Sequence, residues 1–189
     1  KVINKKLLFT SYLLLVTLTI LPGLIFSSIY FKKDIRLKAS EWIFQNIPSG
    51  SQVLSETGNV IDIPIFLVTK NFRLSPVSFD FYNLDSDERL FSQLLSYLEK
   101  SDYIFVPSRR IFANYLRLNQ EFPKTAKYYQ LLFSGELGFK EIKKIALNPL
   151  IFDEMAEETW SVFDHPTIRI YKKEKALTIK QYEELFRQN

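Results

Sequence analysis

A chain of 189 residues has room for one water-soluble domain and an anchor, but not for two full domains. It contains no Cys and a single His, His165, which excludes disulfides, Cys-based zinc sites and any metal site needing two imidazoles. The formal charge of +4 is concentrated at one end: from Ala39 onward 18 Lys and Arg stand against 20 Asp and Glu, a net of −2, so no nucleic-acid partner is expected.

Lys1, Lys5 and Lys6 precede an uncharged run from Leu7 to Phe31, and Lys32, Lys33, Arg36 and Lys38 follow it. About 20 apolar residues cross a bilayer core as a helix, so residues 1–31 read as a transmembrane helix with a short basic flank that can meet lipid phosphates. Pro22-Gly23 is tolerated there as a kink, and Tyr12, Tyr30 and Phe31 suit an interface. A buried core helix and a signal peptide are the competing readings; the run is longer than the usual signal-peptide core. Both flanks carry Lys, so charge does not orient the segment. Lys1 stands where an initiator Met would, which points to a fragment of a longer protein.

Residues 32–51 read as a juxtamembrane linker helix and turn. The helix covers Ile35 to Ile47, with Leu37, Trp42, Ile43 and Ile47 expected on its apolar side, and Pro48-Ser49-Gly50-Ser51 ends it. Residues 52–175 read as an α/β domain. Gln52 to Glu56 is a short strand, Asn59 to Lys70 has no clear assignment, and Val77 to Tyr82 is a second strand. Asp85 or Ser86 is expected to cap a helix over Asp87 to Lys100, in which Leu90, Leu94, Leu95 and Leu98 recur at helical spacing. Tyr103 to Val106 is a short buried strand, Ser108 can cap a helix to about Leu118, and Pro123 starts another that Gly135 and Gly138 close.

Phe139 to Leu147 fits a strand. Trp160 to Lys172 reads as two strand pieces broken at Asp164-His165-Pro166. A last amphipathic helix from Thr178 to Arg187 occupies residues 176–189. The alternation of strands and helices predicts an α/β fold: an N-terminal transmembrane helix followed by a small, mostly parallel sheet flanked by helices.

Few residues invite chemistry. Asp164 and His165 are adjacent, and neighbours on an extended chain point to opposite faces, so a bend around Pro166 is favoured over a catalytic dyad. Asp153, Glu154, Glu157 and Glu158 lack the spacing of a calcium loop and read as a solvated face. Arg109 and Arg110 follow a strand at a helix start, where a phosphate or carboxylate could be gripped, and are the candidate substrate-binding residues. The glycines match no phosphate loop and no nucleophile elbow is present, so the residues alone nominate no catalytic group and no metal site.

Four blocks in order carry a resemblance. They are Ala39-Ser40-Glu41-Trp42-Ile43 through Ile47-Pro48-Ser49-Gly50-Ser51, then Ser101-Asp102-Tyr103-Ile104 with Ser108-Arg109-Arg110. Phe122-Pro123, Tyr128-Tyr129 and the run Leu132 to Phe139 (LFSGELGF) form the third, and Ala156 to Pro166 (AEETWSVFDHP) the fourth. Together they resemble the C-terminal region of prokaryotic GT-C-type glycosyltransferases, protein-mannosyltransferase-like membrane enzymes that use polyprenyl-phosphate sugars. Trp160 departs from that pattern, where Phe is usual.

The resemblance implies that residues 1–31 are the last transmembrane helix of such an enzyme, in the plasma membrane of a prokaryote, with the α/β domain on the extracytoplasmic face. The catalytic acid of that superfamily lies in the first extracytoplasmic loop, upstream of Lys1. No catalytic residue is therefore carried over, no cofactor is implied for this fragment, and a divalent metal would belong to the upstream catalytic part. The implied partners are membrane lipid, a polyprenyl-phosphate-linked sugar and an acceptor reached through the whole enzyme. Gly135, Gly138, Asp164, His165 and Pro166 are implied structural residues. The alternatives are a single-pass membrane-anchored binding or interaction module and a secreted α/β enzyme with a cleaved signal.

Overall fold

The computed structural model describes residues 5–56, 63–64, 73–146 and 157–187. It divides into two compact units, Lys1–Asp34 and Ile35–Asn189. In the first, helix α1 (Lys5–Ser27) contains Pro22 and continues into a 3₁₀ turn, Ser28–Phe31. From Lys5 to Leu24 it is long and apolar enough to cross a membrane, and none of that stretch is buried. A membrane anchor and a signal sequence both have this form. Its hydroxyls bond back along the helix, as from Thr10 Oγ1 to the Lys6 carbonyl at 2.9 Å and from Thr17 Oγ1 to that of Leu13 at 2.9 Å. That satisfies polar groups that a hydrocarbon environment would leave unpaired.

The second unit is α/β. Helix α2 is Ile35–Asn46; strands β1 to β5 are Gln52–Glu56, Ser75–Phe79, Tyr103–Val106, Phe139–Ile145 and Ile168–Lys173. Helices α3 (Glu88–Lys100), α4 (Arg110–Arg117), α5 (Pro123–Ser134) and α6 (Ile179–Arg187) complete it. The sheet order is β2-β1-β3-β5-β4. β1 pairs parallel with β2 and β3, whereas β5 pairs antiparallel with β3 and β4.

The expected mostly parallel sheet is therefore mixed: four strands run one way and β5 runs back between β3 and β4. Trp160–Phe163, expected as a strand piece, lies instead in a π-helical turn, Thr159–Asp164. Glu157 starts that turn by accepting from Thr159 N at 2.9 Å and Trp160 N at 3.3 Å, and Trp160, Ser161 and Val162 are buried in succession, where a strand would alternate. The chain enters β5 beside the end of β4, with Ile145 opposite Ile168, and runs back along it.

Helices cover both faces of the sheet. On one, α2 buries Ile35, Ala39, Ile43 and, just beyond its end, Ile47 against Val53, Phe105, Ile168 and Ile170. The four-residue spacing of this stripe differs from the expected face. Leu37 is 37% exposed and Trp42 only half-buried, because the small Ala39 and Ser40 let the helix approach on their side. Ser40 Oγ donates there to the Arg36 and Pro64 carbonyls at 3.0 and 3.1 Å. The helix read as a linker is thus packed into the domain core.

The other face carries α3 to α6 over an aromatic core. Phe81 meets Tyr128 and Tyr129 with ring centres 4.6 and 5.8 Å apart, contacts worth about 0.5–1.5 kcal/mol each beyond area burial. Leu94, Leu95 and Leu98 of α3 point into it as their spacing predicts.

The caps differ from expectation in one respect. Asp87, not Asp85 or Ser86, caps α3 by accepting from Arg89 N at 2.9 Å. Asp85 instead caps α5, accepting from Lys124 N at 2.7 Å, Thr125 N at 3.1 Å and Thr125 Oγ1 at 2.6 Å. Helix α5 ends at Gly135 in the left-handed region (φ +83), and α6 begins with a reciprocal bond pair between Thr178 and Gln181. Lys173 Nζ donates to the Leu98 and Glu99 carbonyls at 2.8 Å each, tying β5 to the end of α3. Strand β2 ends before Tyr82, since Asp80 accepts from Tyr82 N at 3.1 Å and opens a 3₁₀ turn, Phe81–Asn83.

Most of Asn59 to Lys70, and Asp153, Glu154 and Leu147, lie outside the described residues.

Candidate functional site

In a parallel sheet the chain-reversal point between neighbouring strands leaves a crevice at their carboxyl ends. Here that point lies between β1, whose chain goes on to β2, and β3, whose chain turns the other way. Glu56 ends β1 there. Its side chain shares a face with Leu54, turns under α5, and is 4% exposed. Tyr129 donates its hydroxyl to Glu56 Oε1 at 2.6 Å. Burial pushes the Glu56 carboxyl up to about 8; the Tyr129 bond and the charge of Arg169 pull it down, and burial wins. At neutral pH Glu56 is thus a neutral acid held against a phenol that burial keeps well above its ordinary pKa. Closed in by α5, the pair has a structural role.

Arg109 and Arg110 stand at the end of β3 as expected, and reach different neighbours. Ser108 Oγ accepts from Arg110 N at 3.2 Å and starts α4. The Arg110 guanidinium lies 5.6 Å from the Phe163 ring centre, and its charge acts on the Tyr82 hydroxyl. Burial raises the Tyr82 pKa, and Arg110 opposes it. The charge of Arg109 acts on Glu157, whose carboxyl is lowered first by its bonds with Thr159. The two arginines are therefore each engaged with side chains of the domain.

The structural residues fall at turns. Gly138 has φ +82, and a Cβ there would stand 2.6 Å from the Lys175 carbonyl oxygen, so only glycine fits. Asp164 ends the π-helical turn; the His165 N–H donates to the Trp160 carbonyl at 2.6 Å, and its ring meets Trp160 edge-on at 4.8 Å. Pro166 is buried as the chain enters β5. Among the described residues no three His, Asp or Glu side chains gather to hold a metal ion.

The open site is elsewhere on the same sheet face. Among the described residues, helices α4 and α5 do not extend over β5 and β4 beyond Phe112 and Phe133, and a groove of about 800 Å³ lies there. Its floor is Arg169 and Tyr171 of β5 with Glu141 and Lys144 of β4. Arg169 is 6% exposed; its guanidinium stacks 5.1 Å from the Phe112 ring centre, and Nε lies 4.0 Å from Glu141 Oε2. Tyr171 donates to the same Glu141 oxygen at 3.3 Å, and burial raises its pKa. The volume is within the range of about 300–1,000 Å³ usual for small-molecule sites.

No family model, curated protein or solved structure matches this chain.

Glu56 and Arg169 are the residues that reading the sequence passes over. A carboxylate closing an apolar strand, and a cation between Ile168 and Ile170, are the signals each one left.

Proposed function

We propose that this chain is the C-terminal part of an integral-membrane glycosyltransferase. The whole enzyme would move a sugar from a polyprenyl-phosphate donor to an extracytoplasmic acceptor, with this α/β unit as an accessory domain lacking the catalytic centre. The observation that carries the reading is an apolar helix with no buried residue from Lys5 to Leu24, joined in sequence to an α/β unit that holds the four resembling blocks in order. The blocks also make sense as architecture: Tyr128 and Tyr129 fill the core, Gly135 and Gly138 turn the chain, and Asp164 to Pro166 lead into β5. In this reading the domain lies outside the plasma membrane, and any divalent metal acts in the upstream catalytic part.

The experiment is to read the DNA upstream of Lys1, express the complete frame and assay transfer from a labelled polyprenyl-phosphate sugar to membrane acceptors. Several further apolar spans, together with transfer lost on replacing an acid in the first extracytoplasmic loop, are expected. A start codon within a few residues of Lys1, or no transfer from any donor, sinks the reading. The first outcome leaves a single-pass anchored binding module, which the groove over β4 and β5 favours.

A further inference from the structure

Strand β4 contains an irregularity that decides what its side chains face. In a regular strand Glu141 and Lys144, three residues apart, would point to opposite faces. Here Glu141 pairs with Tyr171 and Lys143 with Ile170, and the extra residue, Ile142, is a β-bulge. The bulge resets the alternation, so Glu141 and Lys144 lie on one face, each beside its partner Tyr171 or Arg169. Lys143 turns to the other face, 5.9 Å from the Trp42 ring centre. One extra residue thus gathers two cations, a carboxylate and a phenol on the floor of the groove.

The remaining walls complete a recognisable chemistry. Phe133 is 40% exposed and stacks with Tyr171, ring centres 6.3 Å apart and planes 27° from parallel. That is an aromatic surface against which the apolar face of a sugar ring can lie. Glu141 can accept from hydroxyls, and Arg169 and Lys144, on directly paired residues, can grip an acid group together. Lys140 and Lys175 stand at the rim, so four cations face two carboxylates, Glu141 and Glu174, and the groove carries an excess of positive charge. The stack of Arg169 on Phe112 fixes its guanidinium in advance, which lowers the entropy lost on binding.

We propose that this groove is a binding site for an acidic saccharide, a sugar bearing a carboxylate, with Arg169 and Lys144 on the acid group, Glu141 on hydroxyls and Phe133 against the ring. The site stands independently of the transferase reading, since every residue in it belongs to the α/β unit.

The test is calorimetric titration of the full chain in detergent with digalacturonate, with the neutral digalactose of the same linkage, and with inorganic phosphate. Digalacturonate is expected to bind at least about tenfold more tightly than either, and to weaken as salt rises. Lys144→Glu, on an exposed position that leaves the fold alone, is expected to weaken it about tenfold or more, and Phe133→Ala several-fold. Lys143→Glu, one residue away on the opposite face, is expected to leave affinity unchanged. Equal binding of the neutral sugar overturns the acid assignment, and equal binding of phosphate overturns the sugar. No binding of digalacturonate, or equal loss from Lys143→Glu and Lys144→Glu, overturns the site.

Discussion

One row of side chains runs across all five strands on one face of the sheet, and its two halves behave oppositely. Phe79 and Glu56 pair on β2 and β1, Val106 continues the row on β3, and Arg169 and Lys144 end it on β5 and β4. Under α4 and α5 the polar member, Glu56, is dehydrated, bonded to Tyr129 and neutral. Toward the edge of the sheet Arg169 lies under the Phe112 ring of α4 at 6% exposure, Lys144 is exposed, and both line the groove. Along the row the side chains are buried as far as β5, and only the last member, Lys144 on β4, is exposed.

The sharpest way to break this comparison is at the border. Gly138 carries the chain from α5 into β4, and Gly138→Ala forces both a left-handed alanine and a collision with the Lys175 carbonyl. It is expected to cost about 3 kcal/mol or more in denaturant melts of the full chain, since strain and displaced backbone add. A cost near zero would mean that the two halves are not joined as described.

Glu56 tests the covered half through pH. Its folded pKa of about 8 lies above an ordinary unfolded value near 4.3, so between these the native state holds a proton that the unfolded state has lost. Its favourable contribution is complete below about pH 4.3 and declines as pH rises to about 8, by about 1 kcal/mol per pH unit. Glu56→Gln keeps an acceptor for Tyr129 and is expected to flatten that decline, raising stability at pH 8 relative to the parent. Parallel pH profiles for the two proteins would remove Glu56 from the covered half's accounting.

Asp85→Ala removes the acceptor for three donors at the start of α5, the helix that does the covering. A loss of about 1–2 kcal/mol is expected by thermal or denaturant unfolding, with Asp85→Asn recovering part of it. On the open half Lys144→Gln is expected to move stability by less than about 0.5 kcal/mol, because the side chain is exposed. A larger loss would mean the groove floor is core.

Much of the fold was legible where a local signal is complete in itself. The bounds of β1, β3 and α5 follow from a turn, a buried apolar run, and a Pro at the start with a Gly at the end. What escaped depends on distant partners. Asp85 looks like a cap for the helix next to it, and only the tertiary fold shows it serving α5. The apolar residues of Trp160–Phe163 suit a strand until Glu157 winds them into a turn. The site was less legible still. Arg109 and Arg110 were visible because they sit beside a strand end, whereas Arg169 is defined by a groove that needs the extra residue at Ile142, and no periodicity announces a bulge.

The outer strands also bear on how copies of this protein meet. Among the described residues β2 and β4 form the two ends of the sheet order; at one, β2 contains Pro76, which has no N–H to offer a neighbouring chain. At the other, β4 is bent by its bulge and studded with Lys140, Lys143 and Lys144. Two molecules brought edge to edge would find a missing donor on one side and mutual repulsion on the other. The sheet is thereby discouraged from growing into a ribbon at high concentration, and the bulge that shapes the groove also helps to keep the molecules separate.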